Sequence, residues 1–302
     1  MATSVIGGRL ARVNDHSTVR EWSVSISSEL VPLIASNTIH APIRLTGNSD
    51  WTGSFSAYGE PLAAIFPGQT FTFEGAFDSP IGAGNATLGA YTGANGAIVD
   101  SLEITFDIAS GGAISYVVNF SAAGALTLGD VSALTIAADG SNPSMFPNTG
   151  SKFMWEEAVT TIAPGFETLC DITTMTLTFT ADNPTYVGSC DAGVTKRVAG
   201  NIDCNASISF LADNFLDSTI PQVNSILRAK FYQDASTFYA VNFMRVSGLS
   251  DITANRETGA PIGATLNLEF SGFVLDEDGT TWKAGTIATP GGTDDLWDAT
   301  PA

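Results

Sequence analysis

An internal repeat constrains this chain more than any other feature. Residues 22–56 align with residues 175–209 at a constant offset of 153, without a gap. Seven of the 35 aligned positions are identical, and six of those seven lie between residues 44 and 56. Many other positions are conservative pairs, such as Val24 with Leu177. A sequence that contains one pattern twice is expected to fold as two similar units.

The correspondence continues beyond this segment, less tightly. We align three further pairs of segments: 71–77 with 225–231, 99–104 with 241–246, and 118–121 with 268–271. Together these matches predict five parts: an N-terminal arm (1–19), repeat 1 (20–127), an insert (128–172), repeat 2 (173–275) and an acidic C-terminal tail (276–302).

Apolar and polar residues alternate within both repeats, as in the segments 22–27, 175–180 and 266–273. A period of two is typical of antiparallel strands with one buried face. The predicted fold is mainly β, with two tandem β-sandwich or barrel domains. We also predict one short helix in each repeat, within residues 60–66 and 213–227. One or two helical turns are expected in the insert at 151–159, capped by Ser151.

The charge balance excludes several classes of partner. The 302 residues carry 12 Lys and Arg against 31 Asp and Glu, a net charge of −19. Binding nucleic acid by neutralising phosphates requires clustered cations, and an anionic membrane surface repels such a chain. Only 14% of residues are charged, which suggests that part of the surface is buried against other subunits.

The sequence contains no pattern typical of a catalytic, cofactor or metal site. The nucleophile-elbow, P-loop, dinucleotide and zinc-protease motifs are absent, so we expect no enzyme. Cys170, Cys190 and Cys204 have no CxxC spacing and are interpreted as reduced thiols of a protein made in the cytoplasm, with one disulfide left open. No apolar run is long enough for a transmembrane helix. Four tryptophans are candidates for a sugar-binding platform or, alternatively, for core positions: Trp51, Trp155, Trp282 and Trp297.

One motif occurs at the same place in both repeats, R-x-x-G-N-x-D followed by S-[FI]-S. Its conserved positions are Arg44, Gly47, Asn48 and Asp50 in repeat 1, and Arg197, Gly200, Asn201 and Asp203 in repeat 2. Glycine followed by asparagine predicts a tight turn between two strands. The arginine and aspartate are either part of a hairpin signature or an Arg–Asp contact at a subunit interface.

This motif, a later short helical segment and the closing strand at 264–272 resemble the tail tube proteins of long-tailed bacteriophages, whose fold is shared by the type VI secretion tube. The resemblance covers both repeats and leaves out the insert and the tail. It implies a β-sandwich or barrel with a flanking helix, stacked as hexameric rings. Tandem copies in this family form trimeric, pseudo-hexameric rings, and the family has no catalytic site.

The resemblance implies a structural virion protein of the phage tail, made in the host cytoplasm. Its partners would be copies of itself, as trimeric rings, and other tail proteins. DNA would pass through an acidic lumen without specific binding, and no membrane or cofactor is involved. Two other functions remain open. One is another virion assembly protein (capsid decoration, neck or adhesin module), and the other is a carbohydrate-binding β-sandwich.

Overall fold

The chain is mainly β, with a large antiparallel sheet. The computed structural model describes residues 12–13, 18–33, 43–59, 61, 65–76, 89–130, 151–157, 166–169, 171–189, 193–212, 220–233, 238–255, 260–275, 282–285 and 287–288. None of these residues is helical.

Nineteen strands occur in the described ranges. In the first half they are β1 (Arg12–Val13), β2 (Val19–Leu33), β3 (Ile43–Tyr58), β4 (Thr70–Ala76), β5 (Gly89–Asp107), β6 (Ser115–Ala122), β7 (Thr127–Asp130), β8 (Lys152–Glu157) and β9 (Glu167–Leu169). In the second half they are β10 (Ile172–Asp182), β11 (Thr185–Tyr186), β12 (Lys196–Arg197), β13 (Asn201–Ala212), β14 (Ile226–Tyr232), β15 (Phe238–Asn255), β16 (Ala260–Phe270), β17 (Phe273–Leu275), β18 (Trp282–Ala284) and β19 (Ile287–Ala288).

Fifteen strands form one continuous sheet that includes both predicted repeats. Its main path is β2-β3-β6-β5-β10-β13-β16-β15-β14-β8-β9. Within repeat 1 the neighbours run β2-β3-β6-β5-β4, and within repeat 2 they run β10-β13-β16-β15-β14. The same order of strands therefore occurs twice, and β5 of the first set pairs with β10 of the second.

The first hairpin of each repeat has the same register. Ile26 lies opposite Trp51 on β2 and β3, and Phe179 lies opposite Cys204 on β10 and β13. Subtracting 153 from the second pair gives the first. Past an irregularity in the β2–β3 ladder, Pro32 pairs with Arg44. Thr185 pairs with Arg197 in the separate two-stranded sheet of β11 and β12, again at the same offset.

The strand pairs correct the looser part of our alignment. Ala97 on β5 lies opposite Phe71 and Ala122, and Met244 on β15 lies opposite Leu227 and Phe270. The structural offsets are therefore 156 for β4 and β14, 147 for β5 and β15, and 148 for β6 and β16. The segments 71–77 and 118–121 were misplaced by two residues each, because a shift of two leaves an alternating pattern unchanged. The segment 99–104 was misplaced by five residues, because it and 241–246 each contain a ladder irregularity that interrupts the alternation.

The sheet folds over on itself around an aromatic core. Among the described strands, β4 is hydrogen-bonded to β1 and β5 only, yet its Phe73 ring packs against rings of three other strands. The ring centroids lie 5.8 Å from Trp22, 6.2 Å from Trp51 and 4.7 Å from Phe120. The long strand β5 therefore connects two packed layers, and burying such aromatic faces stabilises the fold strongly.

The insert contains strands where we predicted helical turns. Residues 152–157 form β8, with Phe153 and Trp155 buried and the residues between them more exposed. The prediction was wrong because the alternation of buried residues has period two, and β8 gains hydrogen bonds by pairing with β14 and β9. This part of the insert thus extends the sheet of repeat 2.

The two other predicted helices are not observed in the described parts of 60–66 and 213–227. Val223 and Asn224 form a turn, and β14 begins at Ile226. Residues 60, 62–64 and 213–219 lie outside the described residues, as do much of the arm, the middle of the insert and most of the tail. None of the described residues forms a helix long and apolar enough to cross a membrane.

Gly53 offers a test of this packing. It lies on β3 between the buried side chains of Trp51 and Phe55, and a Cβ atom there would overlap the ring of Phe120. We expect Gly53→Ala to lower the free energy of unfolding by about 1–3 kcal/mol, as overpacking does in cores. Urea unfolding is the measurement. Gly272→Ala is the control, because a Cβ at Gly272 has no neighbour within 4 Å; equal effects would contradict the packing.

Candidate assembly interface

The two repeats meet edge to edge through β5 and β10. Residues 101–107 of β5 pair with residues 174–180 of β10, antiparallel and without interruption. Leu102 lies opposite Phe179, and Ile104 lies opposite Leu177. All four of these side chains are buried, so the junction combines a backbone ladder with apolar packing.

Repeat 1 also covers β10 from the side. The ring of Phe66, in the turn before β4, lies 5.0 Å from the ring of Phe179. The ring of Tyr239, on β15 of repeat 2, lies 5.7 Å from the same Phe179 ring. Phe179 is therefore enclosed by aromatic rings of both repeats.

A bidentate ion pair fixes one end of the junction. Arg197 on β12 donates from Nη1 to Asp50 Oδ1 at 2.9 Å and from Nη2 to Asp50 Oδ2 at 2.8 Å. The side chains of Arg197 and Asp50 are 13% and 31% exposed. Paired, charge-assisted hydrogen bonds of this geometry are among the stronger polar contacts in proteins. The contact joins an arginine of repeat 2 to an aspartate of repeat 1.

The pair shifts the titration of both groups. The hydrogen bond from Arg197 lowers the pKa of Asp50 below its usual value, against the opposing effect of burial. The hydrogen bond to Asp50 raises the pKa of Arg197, and the charge of Asp100 adds to this. Each partner therefore stabilises the ionised form of the other.

Backbone contacts extend the junction beyond the ion pair. The Ser49 amide donates to the Gly193 carbonyl at 2.7 Å, and the Thr195 amide donates to the Ser49 carbonyl at 2.9 Å. Asn183 donates to the carboxylate of Asp100 at 2.8 Å. The segment after β10 is thus attached to β3 and β5 of repeat 1.

Strand β2 is equivalent to β10, but its outer edge pairs with no other described strand. Ile26 is 57% exposed, whereas Phe179 at the equivalent position is fully buried. Trp22 and Val24 are half-buried, while their equivalents Met175 and Leu177 are fully buried. The apolar face that β10 buries against repeat 1 is therefore partly exposed along β2.

The end of β15 is equivalent to the part of β5 that pairs with β10. In repeat 1, the Gly68 amide donates to the Val99 carbonyl, and the Val99 amide donates to Gln69. In repeat 2, the Asn224 amide donates to the Val246 carbonyl, and the Val246 amide donates to the Ser225 carbonyl. Gly68 and its equivalent Asn224 both have positive φ. Beyond this point β10 pairs with β5, but no described strand pairs with the matching side of β15 from Gly248 onward.

The motif residues are separated by this arrangement. Asp50 and Arg197 form the junction, while Arg44 and Asp203 are exposed. Each repeat therefore contributes one motif residue to the contact, which neither of our two interpretations specified. The offset of 153 indicated that the two arginines are equivalent and that the two aspartates are equivalent, but not which arginine contacts which aspartate.

The predicted tight turn at Gly47 and Asn48 was wrong. Both residues lie inside β3, which runs unbroken from Ile43 to Tyr58. Gly47 instead allows close approach, because a Cβ would lie 3.2 Å from Glu29 at the ladder irregularity. At Gly200, just before Asn201 and β13, a Cβ would collide with the Asp182 carbonyl.

Sequence reasoning missed the strand residues of the junction, since alternation in β5 and β10 does not indicate which strands pair. It also missed Asn183 and Phe66, which have no counterpart of the same type in the other repeat. The exposed Ile26 could have been found from its alignment with Phe179.

The described residues contain no group of three or more His, Cys, Asp and Glu that could hold a metal ion. Cys204 is a free thiol whose pKa is raised by burial, which disfavours the reactive thiolate. Cys170 and Cys190 lie outside the described residues. Trp51 and Trp155 are buried, while the Trp282 side chain and Trp297 lie outside the described part.

An open groove of about 720 Å³ lies on the polar face of repeat 2. No aromatic side chain of the described residues lines it; its polar lining residues are Thr176, Thr178, Asp203, Asn205, Ser207, Ser247, Asn267 and Glu269.

Comparison with models of protein families and with curated proteins finds no match for this sequence.

The Asp50–Arg197 pair predicts a specific dependence on pH. Because the folded-state pKa of Asp50 is lowered, its contribution to stability is present above the ordinary aspartate pKa of about 4 and is lost as the pH falls through the lower value. We expect Asp50→Asn to lower the free energy of unfolding by about 1–3 kcal/mol at pH 7. The difference from wild type should shrink below pH 4.

Urea unfolding of dilute, monomeric protein at pH 7, 4 and 3 measures this dependence. Asp203→Asn is the matched control, since Asp203 has no described ion pair, and we expect little change at any pH. A difference for Asp50→Asn that is constant across pH would contradict the role of the carboxylate charge.

Proposed function

We propose that this chain is a structural subunit that assembles edge to edge with copies of itself into a closed ring. We further propose that stacked rings form the tail tube of a long-tailed bacteriophage, with repeats 1 and 2 as two tandem domains of the tail-tube type. The chain would then act mechanically and not as an enzyme.

The observation that carries the proposal is the junction between β5 and β10. It joins two similar units through the edge of one and the end of a long strand of the other. The matching edge on β2 and the matching end of β15 pair with no described strand. A contact that joins one unit to the next and leaves the same two surfaces free can be repeated between chains. Such heterologous contacts form a ring when the rotation from one unit to the next closes the circle.

Exposed strand edges support association as well. Unpaired backbone N–H and C=O groups are a template for another strand, and proteins normally cover them or interrupt them with charges. Residues 22–27 of β2 instead carry no charge: their serines lie on one face of the strand, and Trp22, Val24 and Ile26 lie on the other. Six such units per ring correspond to three chains, as the resemblance to tandem tail tube proteins implies.

The polar face of the sheet supports a channel that does not bind DNA. Side chains directed away from the core are mainly Ser, Thr and Asn, and carboxylates outnumber cations among the described ones. Arg245 is one of the few cations, on β15 opposite Glu269. The carboxylates are Glu21, Asp50, Asp100, Glu103, Asp107, Asp203 and Glu269. A lumen lined by this face would repel phosphates.

A carbohydrate-binding site has less support. Sugar recognition uses a concave site with convergent polar groups and aromatic platforms. The described groove on repeat 2 has polar groups but no ring, and Trp51 and Trp155 are in the core. No observation on the described residues favours a particular alternative virion role, such as capsid decoration.

Assembly is the first test. We expect rings or tubes with a central hole in negative-stain micrographs of purified protein. Native mass spectrometry should give a building block of three chains of 31.4 kDa, about 94 kDa. A chain that remains monomeric at high concentration would contradict the proposal.

Ile26→Glu tests which edge is used. A carboxylate at this position would face the apolar side chains of a neighbouring chain, so we expect loss of rings with an unchanged melting temperature. Val117→Glu is the control, because Val117 is also exposed, at 38%, but lies on the inner strand β6. Equal loss of rings in both variants would argue against pairing through β2.

Glu103→Lys tests the charge of the proposed lumen. Glu103 is exposed on the polar face of β5, opposite Thr178. We expect wild-type tubes to exclude short duplex DNA at low salt, and the variant tubes to retain several-fold more, because each ring changes by about six charges. Glu167→Lys on β9 is the charge-matched control and should retain little. Equal retention by both variants would place this face outside a lumen.

A further inference from the structure

Two exposed charges occupy the positions that form the internal ion pair in the other repeat. Arg44 is equivalent to Arg197, and Asp203 is equivalent to Asp50, both at the offset of 153. The internal pair uses the arginine of repeat 2 and the aspartate of repeat 1. Among the described residues, neither Arg44 nor Asp203 has an ion-pair partner.

The carboxylate of Asp203 is held in the orientation seen in the internal pair. Asp203 Oδ1 accepts the amide of Cys204 at 2.8 Å, as Asp50 Oδ1 accepts the amide of Trp51 at 2.8 Å. In repeat 1, this orientation directs the carboxylate at the guanidinium of Arg197. The same local bond on Asp203 therefore prepares it for a guanidinium in the equivalent direction.

Arg44 occupies the register position that is equivalent to that of Arg197. It lies opposite Pro32 in the ladder between β2 and β3, and Arg197 lies opposite Thr185 in the ladder between β11 and β12. Thr185 and Pro32 differ by 153 in residue number, and so do Arg197 and Arg44. Because β2 and Arg44 belong to the same hairpin, a chain that pairs through β2 would bring Arg44 along in fixed register.

The surroundings of the aspartate also correspond. Beside Asp50, the Asp100 carboxylate accepts the Ser121 hydroxyl and acts on Arg197. The offsets of 147 and 148 make Ser247 equivalent to Asp100 and Glu269 equivalent to Ser121. Repeat 2 thus also has one carboxylate and one serine here, but on exchanged strands. The negative charge of Glu269 beside Asp203 favours an arginine partner, as that of Asp100 does beside Asp50.

We infer that Arg44 of one chain forms a bidentate ion pair with Asp203 of the next chain, reproducing between subunits the contact of Arg197 with Asp50. This inference rests on the proposed ring. The partner is a second copy of this chain, oriented so that its β2 lies beside β15. With the structural offsets, Ile26 of one chain then lies opposite Leu249 of the other, as Phe179 lies opposite Leu102.

Charge reversal tests the pair. We expect Arg44→Asp and Asp203→Arg, each alone, to raise the concentration needed for trimer formation by about tenfold or more, because each places like charges face to face. The melting temperature of the dilute monomer should not change, since both side chains are exposed. Asp203→Asn keeps an acceptor for the Cys204 amide but removes the charge, so it should also weaken assembly. This milder variant tests the pair even if Asp203→Arg fails to fold.

The double variant R44D/D203R should recover trimers with a mass of about 94 kDa. A mixture of the two single variants gives a sharper result, because one variant then has two acidic contact sides and the other two basic ones. Each variant then attracts the other and repels its own kind, so neighbours in a ring must be different variants. A ring of three chains always places two copies of one variant side by side. We expect pairs of about 63 kDa from the mixture and no closed trimer.

The outcomes separate this inference from the proposed function. Wild-type trimers that are lost in Ile26→Glu but persist unchanged in Arg44→Asp and Asp203→Arg would overturn the ion pair and leave the ring. Single variants that lose assembly without recovery in the double variant would also overturn the pair. Wild-type protein that never assembles would overturn both proposals.

Discussion

Backbone pairing between β5 and β10 is the contact on which the rest of the structure depends. It makes one sheet out of two similar sets of strands, and it places Phe179 beneath the Phe66 ring. It also brings Arg197 within reach of Asp50. Because a strand edge in water exposes unpaired donors and acceptors, each ladder formed in this way satisfies polar groups while it buries the apolar face beneath.

In the proposed ring, a chain with a net charge of −19 would associate with copies of itself. Backbone pairing and apolar side chains at the junction would supply most of the attraction, as in other interfaces. Partly exposed ion pairs contribute less to affinity than to register and choice of partner. An Arg–Asp pair at a fixed position in the ladder selects one register among those that an alternating strand allows.

The strands and the first hairpin of each repeat could be predicted from sequence, because alternation and the offset of 153 are visible there. The register of β4, β6 and their equivalents could not, since a shift of two residues preserves the pattern, and the register of β5 and β15 could not, since irregularities interrupt the alternation of both strands. The helical turns at 151–159 were wrong because a short segment with Phe153 and Trp155 fits either period until a partner strand is known. Gly47 suggested a turn, although its role is close approach to Glu29. The contact of Asp50 with Arg197 depends on which strands are neighbours, and this is a property of the fold that no local pattern contains.

In the proposed ring, the covalent link between the repeats would affect how the two kinds of junction form. The internal junction forms at the high effective concentration set by the linking segment, whereas a junction between chains depends on protein concentration. The two are therefore free to differ in strength. The internal one has the large ring of Phe179, and its equivalent on β2 is the smaller Ile26. In the proposed ring, permanent seams would alternate with weaker ones that can open again, so that a wrongly joined chain can leave before the ring closes.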